Sequence, residues 1–263
     1  MSGAGGGDGR GGPAPAERPV LAPGAAGRSV PERRAAVRGM FDRVSGRYDL
    51  LNRILSLGMD RGWRRRAVES LRLRPGDRVL DVACGTGDLA IASAGAAPRI
   101  LAAGADFSAP MLRIARRKAD RRGVSFRAAL GAAEALPFRG GVFAAAAVAF
   151  GVRNVPDRSA ALREMVRAVR PGGRVAVLEF TEAGEAPADR IAGWYLRRLL
   201  PRIGGLFSER AAYEYLTLSV GAFPPPDLFL EEMRAAGLVR PEAVRLPPAP
   251  VWLFTGTVPG AEG

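Results

Sequence analysis

The stretch VLDVACGTGDL, residues 79–89, leads from apolar residues through a glycine-rich turn into the expected start of a helix. The apolar run predicts a buried strand. Gly85 and Gly87 allow the backbone to turn tightly and to approach a ligand, and the following helix offers free N–H groups at its first turn. A dinucleotide-binding pattern would have a third glycine where Ala90 stands. The stretch therefore predicts a strand, a tight turn and a helix start that can hold a ligand.

Strands and helices alternate after this turn. We predict strands over 77–83, 99–106, 124–130, 142–150, 174–180 and 251–258, and helices over 88–96, 108–123, 157–169, 188–203, 209–220 and 226–237, with RPGG (170–173) as a turn. This alternation is typical of an α/β fold with a doubly wound, mostly parallel sheet. Two helical stretches, from Pro31 to about Leu55 and from Arg61 to Leu73, precede the first strand and predict an N-terminal helical cap.

The chain divides into a tail and one domain. Residues 1–28 are rich in Gly, Pro and Ala, which predicts a disordered tail. Residues 29–263 form the predicted domain: the cap over 29–75, a ligand-binding core over 76–182, and helices and final strands over 183–263.

Composition excludes several kinds of chemistry. The 263 residues contain no histidine and one cysteine, Cys84. Catalysis by Ser-His-Asp or Cys-His groups and metal sites built from imidazole or several thiolates are therefore excluded, and we expect no metal. A general base must be a carboxylate, a tyrosine, a lysine or a bound water. A single cysteine is compatible with a cytoplasmic protein. The sequence contains no apolar run of 18 residues, so we expect no membrane-spanning helix.

The net charge is +13, and Lys118 is the only lysine among 39 basic residues. Two explanations account for this excess of arginine equally well: compositional bias, and attraction to anionic lipids or nucleic acid. The net charge alone does not distinguish between these explanations. The chain has no RNA-binding block and no concentrated aromatic platform, so we expect no nucleic-acid partner.

Carboxylates narrow the choice of ligand. Asp106 ends the second strand, nineteen residues after Gly87, where a carboxylate can accept both hydroxyl groups of a ribose. NAD and S-adenosylmethionine share this geometry. Asp81 and Asp88 are unfavourable beside a pyrophosphate and suit a ligand that carries a sulfonium and an ammonium group. These residues favour S-adenosylmethionine.

Longer blocks carry a family resemblance. FDRVSGRYDLLNRILSLGMDRGWRR (41–65), AEALPF (133–138), FGVRNVPD (150–157), VRPGGRVAVLEFT (169–181) and YLTLSVGAFPPPDLFLEEMRAAGL (215–238) stand in the order found in the menaquinone and ubiquinone C-methyltransferases, which the chain resembles from about 38 to 240. The resemblance implies the class I methyltransferase (Rossmann-like) fold. It also implies S-adenosyl-L-methionine as methyl donor and a polyprenyl quinol as substrate, which would be demethylmenaquinol. C-methylation in the ubiquinone pathway, a small-molecule methyltransferase of secondary metabolism and a cofactor-binding protein without catalysis remain alternatives.

The resemblance assigns site residues position by position. Thr86 and Asp106 match cofactor contacts, Ala132 and Ala133 match an Asn-Ala pair beside the adenine, and Ala149 matches a serine. The full set expected to bind the cofactor is Asp81, Gly85, Thr86, Gly87, Asp106, Phe107, Ala132, Ala133 and Ala149.

Four residues are expected to act on the substrate: Arg153, Asn154, Tyr48 and Asp49. We expect Arg153 to stabilise the developing phenolate, Asn154 to orient the same group, and Tyr48 with Asp49 to help take up the proton. The alternatives are a salt bridge of Arg153 with Asp157 and a packing role for Tyr48.

A polyprenyl quinol resides in the bilayer, so we expect a cytoplasmic enzyme that is peripheral on the inner face of the membrane. RGWRRR (61–66), with Trp63 among arginines, and WYLRRLLPRIGGLF (194–207) are the candidate lipid-facing stretches. The sequence leaves the oligomeric state open, a homodimer included.

Overall fold

A computed structural model describes residues 30–181, 215 and 218–260 of the chain. Within these residues the strands form a seven-stranded sheet in the order β3-β2-β1-β4-β5-β7-β6. The strands are β1 (Arg78–Val82), β2 (Leu101–Asp106), β3 (Phe126–Leu130), β4 (Phe143–Ala149), β5 (Val169–Phe180), β6 (Val239–Arg245) and β7 (Val251–Thr257). The strands β1 to β5 pair in parallel, and β7 lies antiparallel between β5 and β6. The predicted α/β fold with a mostly parallel sheet is confirmed.

Helices cover both faces of this sheet. They are α1 (Val30–Val44), α2 (Tyr48–Leu55), α3 (Asp60–Ser70), α4 (Asp88–Ala94), α5 (Ala109–Arg121), α6 (Arg158–Ala168) and α7 (Pro226–Ala235), with short 3₁₀ turns at Ser45–Arg47 and Val152–Asn154. Two predicted helix starts are confirmed by their caps. Ser108 accepts a hydrogen bond from the Met111 N–H at 3.3 Å, and Asp157 accepts one from the Ala160 N–H at 2.8 Å.

The position of β4 in the centre of the sheet explains why it is apolar along its whole length. Ala145 and Ala147 pack in a cluster with Trp63 on one face of the sheet, whereas Ala146 and Val148 pack in a second cluster on the other face. Because successive side chains of a strand point to opposite faces, a strand covered by helices on both sides carries apolar residues without alternation.

In the later part of the sheet, the prediction that a strand begins at 174 after a turn was wrong, and one strand was not predicted. RPGG (170–173) is not a separate turn, because β5 starts at Val169 and runs through it, with an irregular register opposite Phe143 and Ala145. Gly173 permits this close approach, since a Cβ there would collide with Val169 and with the carbonyl oxygen of Ala144. The strand β6 was not predicted, because its alternating exposed residues follow directly on a helix.

The cap packs on the sheet through α3. Trp63 is buried and makes edge-to-face contacts with Phe150 and Phe180, at ring distances of 6.1 Å each. Arg64 is buried and paired with Asp60. The prediction that Trp63 contacts lipid was therefore wrong, because its ring is part of the core.

Several predictions lie outside the described residues: the tail, the helix over 188–203, most of the helix over 209–220, and the stretch 194–207. In the part of the chain that is described, no helix combines the length and the apolar character that crossing a membrane requires.

Candidate active site

A cleft opens where the strands β1 to β4 end. It encloses about 710 Å³ of empty space, its open mouth included. Its lining comes from the strand ends, from the cap and from the turn after β4: Val37, Phe41, Tyr48, Ala83, Gly85, Asp106, Phe107, Met111, Gly131, Ala132, Ala133, Glu134, Ala149, Phe150, Gly151, Asn154, Val155 and Pro156. Ligands of open α/β sheets lie at this edge, beyond the carboxyl ends of the strands.

The chain leaves β1 and β4 through strained backbone. Ala83 and Phe150 have φ angles of 50° and 59°, in the left-handed region that non-glycine residues seldom adopt. The two turns meet at Gly151, where a Cβ would lie 2.8 Å from the Cβ of Ala83. Strain of this kind concentrates at functional sites because the surrounding fold must hold it in place. Here it brings two strand ends together at the floor of the cleft.

Asp106 and Gly85 form the half of the cleft that suits a nucleoside. One carboxylate oxygen of Asp106 accepts the Gly85 N–H at 2.8 Å, and the other accepts the Ser108 N–H at 2.8 Å. Burial raises the pKa of Asp106. A carboxylate has about four acceptor sites, so two remain for a pair of ribose hydroxyls. The turn and the carboxylate therefore fit the ribose of S-adenosylmethionine.

The small residues Ala132, Ala133 and Ala149 line the same half. They offer contact surface but no side-chain hydrogen bond. Phe107 continues this surface towards the cap, where its ring meets that of Phe41 edge to face, with the ring centroids 6.3 Å apart.

The cap supplies the other half of the cleft. Tyr48 and Phe41 lie edge to face with their centroids 6.0 Å apart, and both line the cleft together with Val37. Burial raises the pKa of Tyr48, although the charge of Arg153 acts in the opposite direction. At neutral pH this tyrosine is therefore a neutral hydrogen-bonding group on an otherwise apolar wall, which suits a planar aromatic substrate.

Of the predicted Arg153–Asn154 pair, only Asn154 lines the cleft. Its Oδ1 accepts a hydrogen bond of 2.8 Å from the hydroxyl of Tyr215, and its Nδ2 donates to the Phe150 carbonyl at 3.4 Å. Burial raises the pKa of Tyr215 to about 12, so its hydroxyl is a donor at physiological pH. The amide of Asn154 is thus fixed in one orientation at the edge of the cleft.

Arg153 lies behind this lining. Its guanidinium pairs with Glu179, donates to the Phe150 carbonyl at 2.9 Å and donates to Ser219 Oγ at 3.3 Å. The partner is not Asp157, the alternative suggested by the sequence, but Glu179, a residue with no exposed surface. Arg153 therefore holds the strained end of β4 in place, while its positive charge stays close to the cleft.

Four other predicted residues also lie outside the lining: Asp49, Asp81, Thr86 and Gly87. Asp81 accepts the Ala90 N–H at 2.9 Å and so fastens the start of α4 to β1. Gly87 packs on α5, where a Cβ would lie 2.9 Å from that of Ala115. Thr86 donates to Asp49 Oδ1 at 2.5 Å, which links the glycine turn to the cap.

Three residues that contribute to this site were not predicted from the sequence. Glu179 had a visible signal, since it is the one charged residue in the apolar strand VAVLEF. Lys118 also had one, as the only lysine. Tyr215 had none, because a tyrosine on a predicted helix is ordinarily a packing residue.

Comparison with solved structures identifies the fold. An S-adenosylmethionine-dependent methyltransferase from Thermotoga maritima aligns with a TM-score of 0.57 at 20% identity, over 84% of this chain and 99% of that protein. The [4+2]-cyclase SpnF aligns with a TM-score of 0.58 at 22% identity, over 78% of this chain and 82% of that protein. Similarity at this level shows the fold and leaves the reaction open.

The family is decided by sequence. The model of the ubiE/COQ5 methyltransferase family matches residues 28–246. The chain belongs to this family. Among its relatives in the ubiE/COQ5 family, the demethylmenaquinone methyltransferase of Thermus thermophilus is 48% identical over 75% of this chain and 90% of that protein. The ubiquinone/menaquinone biosynthesis C-methyltransferase UbiE of Geobacter sulfurreducens is 44% identical over 78% and 82%. As a ubiE/COQ5 family member the chain is an S-adenosylmethionine-dependent methyltransferase, which confirms the predicted enzyme class and methyl donor.

Proposed function

We propose that this enzyme transfers a methyl group from S-adenosylmethionine to a ring carbon of demethylmenaquinol. The observation that carries the proposal is the two-sided cleft. Its strand-end half, with Gly85 and Asp106, suits the nucleoside of the donor, and its cap half, with Phe41 and Tyr48, suits a planar ring. Relatives named for menaquinone biosynthesis, at up to 48% identity, support this choice of substrate.

Methyl transfer to carbon needs a nucleophilic ring carbon aligned with the methyl group in a site without water. S-adenosylmethionine supplies an electrophilic methyl group on a sulfonium. The ring carbon becomes more nucleophilic when the adjacent quinol hydroxyl loses its proton to solvent, and the hydroxyl is restored when the methylated ring carbon gives up its own hydrogen as a proton. Groups that stabilise the resulting oxyanion therefore accelerate the reaction.

We assign contact with that quinol oxygen to Asn154 and Tyr48, which both line the cleft. The Nδ2 of Asn154 is the donor, because Tyr215 already occupies its Oδ1. Arg153 acts on the phenolate through its charge and through the Phe150 carbonyl, which it holds. Asp49, expected to take up the proton, is held instead by Thr86 and Lys118 outside the cleft.

The assay uses S-adenosylmethionine with short-chain demethylmenaquinol kept reduced, and it follows methylated product by mass spectrometry. We expect turnover of this quinol and weaker turnover of the ubiquinone-pathway precursor. Absence of turnover by enzyme that binds S-adenosylmethionine would exclude the proposed substrate. Oxidised demethylmenaquinone is the matched control, because it has no hydroxyl to deprotonate and should not react.

The same substrate implies that the enzyme meets the membrane surface. Arg61, Arg65 and Arg66 on α3 are exposed and available for anionic head groups, whereas Trp63 is buried. We expect co-sedimentation with vesicles to rise with their content of anionic lipid and to fall with salt. Vesicle binding that depends on neither the anionic lipid content nor the salt concentration would contradict an electrostatic contribution to membrane binding.

A further inference from the structure

One lysine joins the cap to the glycine turn. The Nζ of Lys118, on α5, lies 2.6 Å from Asp49 Oδ2 on α2 and 2.6 Å from Asp88 Oδ1 at the start of α4. The same nitrogen donates to Thr86 Oγ1 at 3.1 Å, and Thr86 in turn donates to Asp49 Oδ1 at 2.5 Å. Segments that are distant in sequence therefore meet at one ammonium group, which is only 18% exposed.

The choice of lysine here runs against the composition of the chain, in which arginine fills the other basic positions. An ammonium is a compact charge with three donors, whereas a guanidinium is a larger planar fork suited to a single carboxylate. The acceptors around Lys118 belong to three side chains, Asp49, Thr86 and Asp88. Local geometry therefore accounts for a lysine where compositional bias alone would place an arginine.

The cluster borders the cleft on both sides. Asp49 directly follows Tyr48, and Thr86 directly follows Gly85, and both of these neighbours line the cleft. A Cβ at Gly85 would lie 3.8 Å from the Tyr48 ring, so the cap and the turn lie close together beside the bond between Asp49 and Thr86. Any movement of α2 away from the turn breaks this bond and widens the cleft.

We propose that Lys118 is a positioning residue that latches the N-terminal cap over the glycine turn and so keeps the donor half of the cleft closed. A ligand that contacts both the cap and the turn binds the latched arrangement better than an open one. By linkage, such a ligand also keeps Lys118 latched. The inference rests on the proposed function for the turnover assay of its second experiment, whereas its first experiment needs S-adenosylmethionine alone and no quinol, so the two can fail separately.

The first experiment uses the unmodified full-length enzyme. Because Lys118 has the only side-chain amine, an amine-acylating reagent reports on this residue, and the α-amino group of the chain is the internal reference. We expect saturating S-adenosylmethionine to slow acylation of Lys118 by about tenfold relative to the α-amine, since the ligand shifts the latch by its differential affinity. Equal relative rates with and without the ligand would overturn the proposal.

The second experiment separates latching from folding and from proton transfer. Lys118→Met should raise the KM for S-adenosylmethionine about tenfold and change kcat less than about threefold. The exchange Asp49→Lys with Lys118→Asp, combined with Asp88→Asn so that two carboxylates do not face each other, restores an ion pair at the same place, and KM should return to within about threefold of the wild type. Loss of folding cannot produce this rescue, and neither can a role of Asp49 as proton acceptor.

Arg170→Met is the matched control, because its pair with Asp77 spans 3.0 Å where β5 and β1 begin, at the edge of the sheet opposite the cleft. It should leave KM and the acylation of Lys118 unchanged. An exchange variant no better than Lys118→Met, or an unchanged KM in Lys118→Met, would show that Lys118 does not latch the cap. Should Lys118→Met fail to fold, the acylation experiment on the unmodified enzyme still decides.

Discussion

Replacing Arg153 with methionine removes the counter-charge of Glu179, a carboxylate with no exposed surface. The substitution also removes the donors to the Phe150 carbonyl, at 2.9 Å, and to Ser219 Oγ, at 3.3 Å. Removing one partner of a buried ion pair leaves the other charge unpaired in a medium that solvates it poorly. We therefore expect the free energy of unfolding at pH 8 to fall by about 3–5 kcal/mol.

This loss of stability should depend on pH. Burial raises the pKa of Glu179, and Arg153 opposes that rise, so the pKa is higher still without the guanidinium. A carboxyl whose pKa is raised in the folded protein favours folding below its unfolded pKa of about 4.3. That contribution is lost as the pH rises through the folded pKa. The difference in the free energy of unfolding between wild type and Arg153→Met therefore increases from pH 5 to pH 8. The increase is about 1.4 kcal/mol for each unit by which the substitution raises the pKa of Glu179 further.

Urea unfolding at pH 5, 6.5 and 8 measures this gap for Arg153→Met, Glu179→Gln and the double variant. The double variant should be more stable at pH 8 than Arg153→Met, because it leaves no buried charge. Arg65→Met, at an exposed pair, should change the free energy of unfolding by less than about 1 kcal/mol. A gap that is equal at pH 5 and pH 8, or a double variant no more stable than Arg153→Met, would refute this account of the buried pair.

Three further substitutions test other parts of the structure. Tyr215→Phe frees Asn154 Oδ1, so we expect kcat to fall about tenfold, with the KM for S-adenosylmethionine unchanged in steady-state kinetics. Burial raises the pKa of Asp81 to about 8. The stability that its protonated form contributes is therefore lost as the pH rises towards 8. Asp81→Asn should reduce the fall in the thermal unfolding midpoint between pH 6 and pH 9. Gly173→Ala places a methyl group against Val169 and the Ala144 carbonyl, and urea unfolding should show a loss of about 1–3 kcal/mol.

Much of the fold could be predicted because its signals are local. The apolar run of β4, the glycine turn after β1 and the caps Ser108 and Asp157 each act within a few residues of the chain. The start of β5 was missed for a physical reason. RPGG has the local pattern of a turn, but Val169 already pairs with Phe143 and pairing resumes at Arg174, so β5 begins before RPGG and bulges through it.

The sequence by itself determined that the chain forms a parallel sheet with a ligand-binding edge, since periodicity and glycine placement fix strands, helices and the turn beside Asp106. Tertiary structure alone decided which polar residues face the cleft. Arg153 and Asn154 are adjacent in sequence, yet one is drawn to Glu179 and the other lines the cleft. Lys118 reaches Asp49 across 69 positions of sequence. Such pairings depend on how elements pack against each other, because burial makes an unpaired charge costly and so selects partners that no local pattern reveals.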